Sequence, residues 1–362
     1  MPSPLFTPLR LRELELDNRI VLSPMCQYAA VDGCASDWHL MHLGQFMVSG
    51  VALVMIEMTN VQANGRISPH CLGLYDADCE KALQYVVDYC REISNTPIGV
   101  QLAHAGRKAS SAPPWMGRRR LEQAEGGWDT VGPSAISHKG DCPAPAALSN
   151  HAIDQLIDDF VSAARRANRI GFDVIELHAA HGYLLHQFLS PLSNQRDDDY
   201  GGSRENRMRL PLRIFDAVRD VWPKHKPLGM RLSAIDWSDG GLEIEDTIAM
   251  AQALKQRHCD WVDVSSGGIG AMENITTGPG YQVGFSEQVK AESGMPTIAV
   301  GMITEPKQAE DIIAFERADL VALARGMLFN PRWPWHAAIE LGVEVDYPER
   351  YQRCAPENMN AF

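Results

Sequence analysis

The 362-residue chain has no Cys-x-x-Cys pair, although it carries eight cysteines, at 26, 34, 71, 79, 90, 142, 259 and 354. Without that spacing a zinc ribbon or a cysteine-ligated iron–sulfur cluster is not expected. The thiols are scattered through a chain large enough to build its own core, so no disulfide framework is needed. No apolar stretch approaches the roughly 20 residues that span a bilayer. The opening MPSPLFTPLRLRELELDNR lacks the continuous apolar segment of a secretory signal. The expectation is a cytoplasmic protein with no membrane partner. Basic charge is scarce too. The formal net charge of −13 argues against nucleic acid as a partner, which needs clustered Lys and Arg. Arg118, Arg119 and Arg120 form the one dense basic run, best read as a solvated loop. A locally basic pocket for a phosphate stays open.

Short apolar runs recur instead: Asn18–Met25, Val51–Met58, Pro97–Ala103, Asp173–Ala179, Pro227–Ser233, Asp260–Ser266, Pro296–Ile303 and Asp319–Gly326. Most have the length and near-continuous hydrophobicity of strands buried on both faces. Amphipathic stretches such as Ile153–Ala167 and Glu243–Gln256 lie between them. Strand alternating with helix implies a parallel sheet, and eight units close a (β/α)8 barrel. An open doubly wound sheet is the alternative, weakened because no G-x-G-x-x-G follows the first strand. The fold expected is α/β: a single TIM-barrel domain over 1–362, with an N-terminal hairpin and a long loop insertion after the third strand. That insertion, about 104–149, is rich in Pro and Gly, and a lid or small hairpin over the barrel mouth is expected from it.

Successive strand residues face opposite ways. Ile98, Val100 and Leu102 therefore oppose Gly99 and Gln101. Ile175 and Leu177 oppose Glu176 and His178, and Leu228, Met230 and Leu232 oppose Gly229 and Arg231. With the apolar faces on the helices, a polar set of Glu57, Gln101, Glu176, His178, Arg231 and Asp263 collects at the C-terminal mouth. Buried charge there is costly unless paired or ligand-bound, and active sites of such barrels sit at that end.

His178-Ala-Ala-His181 has three readings: zinc ligands lacking a clear third and fourth partner, structural histidines, or neutral donors to a carbonyl or nitro oxygen. Tyr183, two residues on, is a possible proton donor and shifts the balance to catalysis. Cys26, after Ser23-Pro24-Met25, is either a nucleophile or a small apolar filler, with no base adjacent in sequence. Gly301-Met302 and Arg325-Gly326 end the seventh and eighth runs. Ligand phosphate is often held there, although ordinary Gly turns with a surface Arg explain these motifs as well.

Longer strings carry a resemblance. They are Asn18-Arg19-Ile20 with Ser23–Cys26, Gly65-Arg66-Ile67, QLAHAGRK at 101–108, ELHAAHGYL at 176–184 and SNQRDDDYGGSRENR at 193–207. From Leu5 to about Tyr351 the chain resembles the old yellow enzyme family (NADH:flavin oxidoreductases), within its thermophilic-like bacterial ene-reductase group. The resemblance implies noncovalent FMN at the mouth. Ser23, Pro24, Met25, Cys26 and Met58 would line it, with Gln101 and Arg231 at the pyrimidine end and Gly301, Met302, Ala324 and Arg325 at the phosphate. Family members usually carry a small residue where Met58 stands, and Gly where Ala324 stands. His178 and His181 would bind the substrate's activating group, and Tyr183 would protonate. Cys26 would tune the flavin and, with Tyr28 and Ile67, contact substrate. The tail at about 340–362 would reach a neighbouring subunit of a homo-oligomer (dimer or tetramer), with Arg350 as its finger.

The implied activity is that of an NADPH dehydrogenase or ene-reductase. NADPH, preferred over NADH, would reduce FMN, and flavin N5 would pass hydride to the activated C=C of an unsaturated aldehyde, ketone, imide (such as maleimide) or nitroalkene. Two other readings are a flavin-free barrel aldolase or isomerase acting on a phosphorylated substrate, which would be colourless, and a flavin-binding sensor, which would not oxidise NAD(P)H. No metal is expected.

Overall fold

The computed structural model describes residues 3–140, 142–270, 273 and 275–358. Each of the eight apolar runs holds one strand, the second of which extends past its run to Asn60: β1 Ile20–Leu22, β2 Leu53–Asn60, β3 Ile98–Ala103, β4 Val174–Ala179, β5 Leu228–Ser233, β6 Val262–Ser265, β7 Thr297–Ala299 and β8 Leu320–Leu323. They pair in parallel in sequence order and close, β8 on β1, into a barrel. Helices wrap the outside: α1 Asp37–Met47, α2 Ala77–Ile93, α3 Asn150–Ile170, α4 Leu184–Leu189, α5 Arg204–Val221, α6 Ile244–Lys255, α7 Val283–Ser293, α8 Pro306–Ala314, α9 Arg325–Phe329 and α10 Trp333–Leu341. The last expected run is only partly strand, because Arg325 and Gly326 already belong to α9. α3 illustrates the local logic. Ser149 accepts from the Ala152 N–H at its start, and Gly171, at φ 93°, takes the left-handed turn at its end.

Strand parity sorts the core into two shells. Ile98, Val100, Leu102, Ile175, Leu177, Leu228, Met230 and Leu232 join the layer shared with the helices. Val21, Leu53, Met55, Val174, Trp261, Ile298, Leu320 and Ala322 form the inner cluster. Each fully buried aliphatic side chain contributes on the order of 2 kcal/mol. The antiparallel hairpin Leu9–Leu11/Leu14–Leu16 adds Leu11 and Leu16 to the inner cluster. Glycines inside make room for large side chains: a Cβ on Gly229 would lie 2.0 Å from the Trp261 ring, and one on Gly99 would lie 2.4 Å from Met55 Sδ.

The insertion after β3 contains short 3-10 turns and a two-residue ladder, Val131–Gly132 with Ala146–Ala147. The ladder is parallel, so the segment is not the small hairpin expected of it. Side chains pin its irregular backbone. Arg107 donates to the carbonyls of Ile136, Ser137 and Ile269. Arg120 donates to those of Ala109 and Trp128, and Arg196 to those of Pro133 and Leu148.

Gly229→Ala should lower stability by roughly 2 kcal/mol through overpacking against Trp261. A urea midpoint within error of the parent's would show that the ring can move aside.

Candidate active site

Neighbouring strands deliver the polar residues side by side. Gln101 is level with Glu176, His178 with Arg231, and Arg231 with Asp263. Gln101 Nε2 donates to Glu176 Oε1 at 2.8 Å, and Trp261 Nε1 to Glu176 Oε2 at 3.3 Å. Arg231 Nε lies 3.3 Å from Asp263 Oδ2, while its Nη1 donates to Ser23 Oγ at 3.2 Å. One buried guanidinium thus faces two buried carboxylates. Burial pushes both acids up, Asp263 to about 7, and the Arg231 charge opposes the shift.

Glu57 departs from its expected place. The β2–β3 register shifts between Ile56 and Met58, a bulge that breaks the two-residue parity. Glu57 instead accepts from the Gln27 N–H at 3.1 Å and lies 3.3 Å from His39 Nε2 of α1. It sits behind the mouth. Met58 takes the inward position, clustering with Ile67, Cys71, Ala103 and, at the edge, Cys26, Tyr28 and Tyr183.

His178, His181 and Tyr183 meet edge to face, with ring centroids 5.1 Å apart for the histidine pair and 4.9 Å for His178–Tyr183. The Ala180 N–H donates to His178 Nδ1 at 3.3 Å, so His178 carries its proton on Nε2. His181 Nε2 is 2.7 Å from Ser265 Oγ, whose other acceptor, Gln282 Oε1, is 3.4 Å away. A Ser265 hydroxyl that donates to His181 Nε2 leaves the His181 proton on Nδ1, and one that donates to Gln282 accepts from a His181 Nε2–H. Burial, then the Arg231 charge, holds both rings neutral, well below the usual histidine range. Burial raises the Tyr183 phenol, with neighbouring Cys26 and Tyr28 adding to the shift. A cation caps it: Lys108 Nζ sits 5.2 Å from the Tyr183 ring centre and donates to the carbonyls of His181 and Gly268. The turn holding the trio needs glycine. His181 and Gly182 are both left-handed, at φ 58° and 71°, and a Cβ on Gly182 would lie 1.9 Å from Gly268 O. The Gly182 N–H donates to His186 Nδ1 at 2.7 Å, and His186 Nε2 lies 2.9 Å from Asp236.

Cys26 shares a hydrogen bond with the Cys71 thiol, which with burial raises its pKa well above the ordinary thiol range. A thiol so held is a poor nucleophile. Pro24 and Met25 continue β1 half-buried, Met25 against the outer core. Tyr28, Ile67 and Tyr183 line one cleft, under the insertion. A second cleft runs past Ser23, Arg231, Gly301, Met302, Ala324 and Arg325. Gly301 is left-handed at φ 112°, and a Cβ there would lie 2.8 Å from Gln282 Nε2. Arg350 does not join the site within one chain. Its 3-10 turn, Glu349–Cys354, borders a separate cleft with α1 and Arg332.

Several residues here were not singled out from sequence. Ser265 shares parity with Asp263 and could have been read from it. Lys108 lies inside a quoted string, but nothing local reveals where its ammonium goes. His186, Asp236 and Gln282 come from segments that only the closed barrel brings together. Among the described residues, no group of three His, Cys, Asp or Glu side chains could hold a metal ion, and no helix is long and apolar enough to cross a membrane.

Residues 4–344 match the model of the NADH:flavin oxidoreductase / NADH oxidase family. An NADPH dehydrogenase of Geobacillus thermodenitrificans is 44% identical over 98% of this chain and 99% of its own. Morphinone reductase superposes with a TM-score of 0.77 at 28% identity, over 98% of this chain and 92% of its own. A 2-naphthoyl-CoA reductase, at 23% identity and a TM-score of 0.84, shares the fold, and the chain spans 54% of its length.

Burial holds His42 at about 4, His104 and His138 at about 3, and His178 and His181 well below 6.5. Each folded pKa lies under its unfolded value, so the unfolded chain binds more protons. Their contribution is complete above pH 6.5 and is lost as pH falls below it. Raised Glu57, Glu176 and Asp263 work in the opposite sense, five groups against three. Urea midpoints should therefore drop from pH 7 to pH 5. A midpoint that climbs toward pH 5 would mean the carboxylates dominate.

Proposed function

The chain belongs to the NADH:flavin oxidoreductase / NADH oxidase family, and from there we propose that it is an FMN-dependent ene-reductase. Its substrates are α,β-unsaturated aldehydes, ketones, imides or nitroalkenes, and its donor is NADPH in preference to NADH. The observation that carries this reading is the neutral His178–His181–Tyr183 trio packed at the barrel mouth beside the buried Arg231.

The mouth fits FMN. Arg231 and Arg325 both border the second cleft, which suits a ligand with a phosphate at one end and negative charge on its reduced ring at the other. Gly301 opens its lining where a side chain would collide with Gln282. Gln101 and Arg231 would hold the pyrimidine end, Ser23, Pro24, Met25, Cys26 and Met58 the ring, and Gly301, Met302, Ala324 and Arg325 the phosphate. Bound noncovalently, FMN would supply the hydride chemistry that links NADPH to the alkene.

The protein's own part is positioning and proton supply. His178 Nε2–H and His181, as its Nδ1–H tautomer, donate to the substrate's carbonyl or nitro oxygen. Both rings are neutral, so they polarise that oxygen without surrendering a proton, and the bonds strengthen as negative charge grows on it. Cys26, Tyr28 and Ile67 confine the alkene. The Tyr183 O–H, kept protonated by burial, gives its proton to the α-carbon. Lys108 over the ring stabilises the phenolate left behind. Arg350 serves the site of a neighbouring copy in a homodimer or homotetramer.

Anaerobic mixing with NADPH should bleach a yellow protein, and cyclohexenone should restore the colour. A colourless preparation that gains nothing from FMN would sink the reading. Tyr183→Phe should slow the cyclohexenone step about 100-fold or more with flavin reduction nearly unchanged. Equal loss in both half-reactions would remove Tyr183 from the role of acid.

A further inference from the structure

We propose that the insertion over the mouth builds an anion-binding subsite from Arg118, Arg120 and Lys139, which takes a phosphate or carboxylate carried by the ligand away from its reacting atoms. The inference rests on the ene-reductase reading, which places the reacting end of the ligand at Tyr183.

One cleft joins the two ends. Tyr183, Tyr28 and Ile67 line it together with Arg118, Arg120 and Lys139, and its cavity volume is about 200 Å³. Among the described residues no Asp or Glu lines it, although the chain as a whole carries a net charge of −13. A concentrated positive field in an acidic protein points to a bound anion.

The three consecutive arginines have different fates. Arg119 is neutralised, its guanidinium paired with both carboxylate oxygens of Glu125. Arg120 is held by the backbone carbonyls of Ala109 and Trp128, which orient the guanidinium, while Asp129 offsets part of its charge from the side of the adjoining cleft. Arg118 is exposed, and among the described residues no carboxylate pairs with it. It follows Gly117 in a double left-handed turn, at φ 86° and 53°, a backbone state that a non-glycine residue adopts only where its surroundings impose it. Deeper in, Lys108 and Arg107 also donate to carbonyls, with Glu273 and Asp236 as their respective acidic neighbours outside the cleft lining. Guanidinium and ammonium groups arranged this way favour phosphate and carboxylate oxygens.

Two sources of the anion are open: the 2′-phosphate of NADPH and an acidic tail on the alkene. The test uses the holoenzyme and the double variant Arg118→Gln/Lys139→Gln, both at exposed positions. Calorimetry compares 2′,5′-ADP with 5′-AMP, and cinnamaldehyde with its para-carboxylate. Anaerobic stopped-flow compares NADPH with NADH in flavin reduction, and the two aldehydes in reoxidation. The variant should bind the more anionic member of one pair about tenfold more weakly or worse. The other member and the limiting rates should be unchanged. Loss confined to the 2′-phosphate pair assigns the subsite to the donor, and loss confined to the carboxylate pair assigns it to the substrate. Equal binding by parent and variant across both pairs overturns the subsite, even in a protein with a normal flavin spectrum. In a flavin-free preparation the ene-reductase reading fails, and calorimetry alone decides the subsite by the same criterion.

Discussion

Arg231 is a cation buried within β5, with Asp263 3.3 Å from its Nε and Ser23 Oγ on its Nη1. Glu176 lies within the same field and is tied to Gln101 and Trp261. Removing one partner from such a cluster strands the others without solvation, which is far more damaging than the cluster is stabilising. Four strands, β3 to β6, therefore have to deliver their polar residues in one register. Burial, reinforced by the same guanidinium, keeps the nearby imidazoles unprotonated. One charge thus ties barrel closure to the protonation state on which hydrogen-bond donation depends.

A second constraint is the left-handed pair His181–Gly182. It brings His181 to Ser265 on β6 and lets the chain pass Gly268 O at a distance that excludes any Cβ. Behind it, the His186–Asp236 pair and Gln187, which donates to the carbonyls of Ala105 and Gly182, hold the turn from below. Tyr183 is placed by this scaffold, because its own hydroxyl has little to grip in the folded chain.

Much of this was legible in the residues. Near-continuous apolar runs marked all eight strands because each is buried on both faces, and the inward parity of Gln101, Glu176, His178 and Arg231 followed from a period of two. Parity failed at Glu57, where a bulge admits one extra residue and exchanges Glu57 for Met58 at the mouth. A bulge leaves no periodic trace. The insertion was legible as irregular but not in detail, since its path is set by arginines reaching carbonyls far along the chain. Lys108 was hidden for a related reason, since the His181 and Gly268 carbonyls it reaches belong to other strands' loops, whereas Ser265 was open to the same parity as Asp263. The likeness to a known family supplied what local patterns could not, the expectation that these residues share one cofactor.

The roof over the mouth is fastened to carbonyl dipoles by Arg107 and Arg196, with the exposed Arg119–Glu125 pair a local addition. Mobile ions screen separated surface charges over about 8 Å at physiological ionic strength, but they have little purchase on a half-buried guanidinium in direct contact with a backbone oxygen. The roof is therefore built to keep its shape in strong brine, where the acidic exterior of the same molecule would be fully screened.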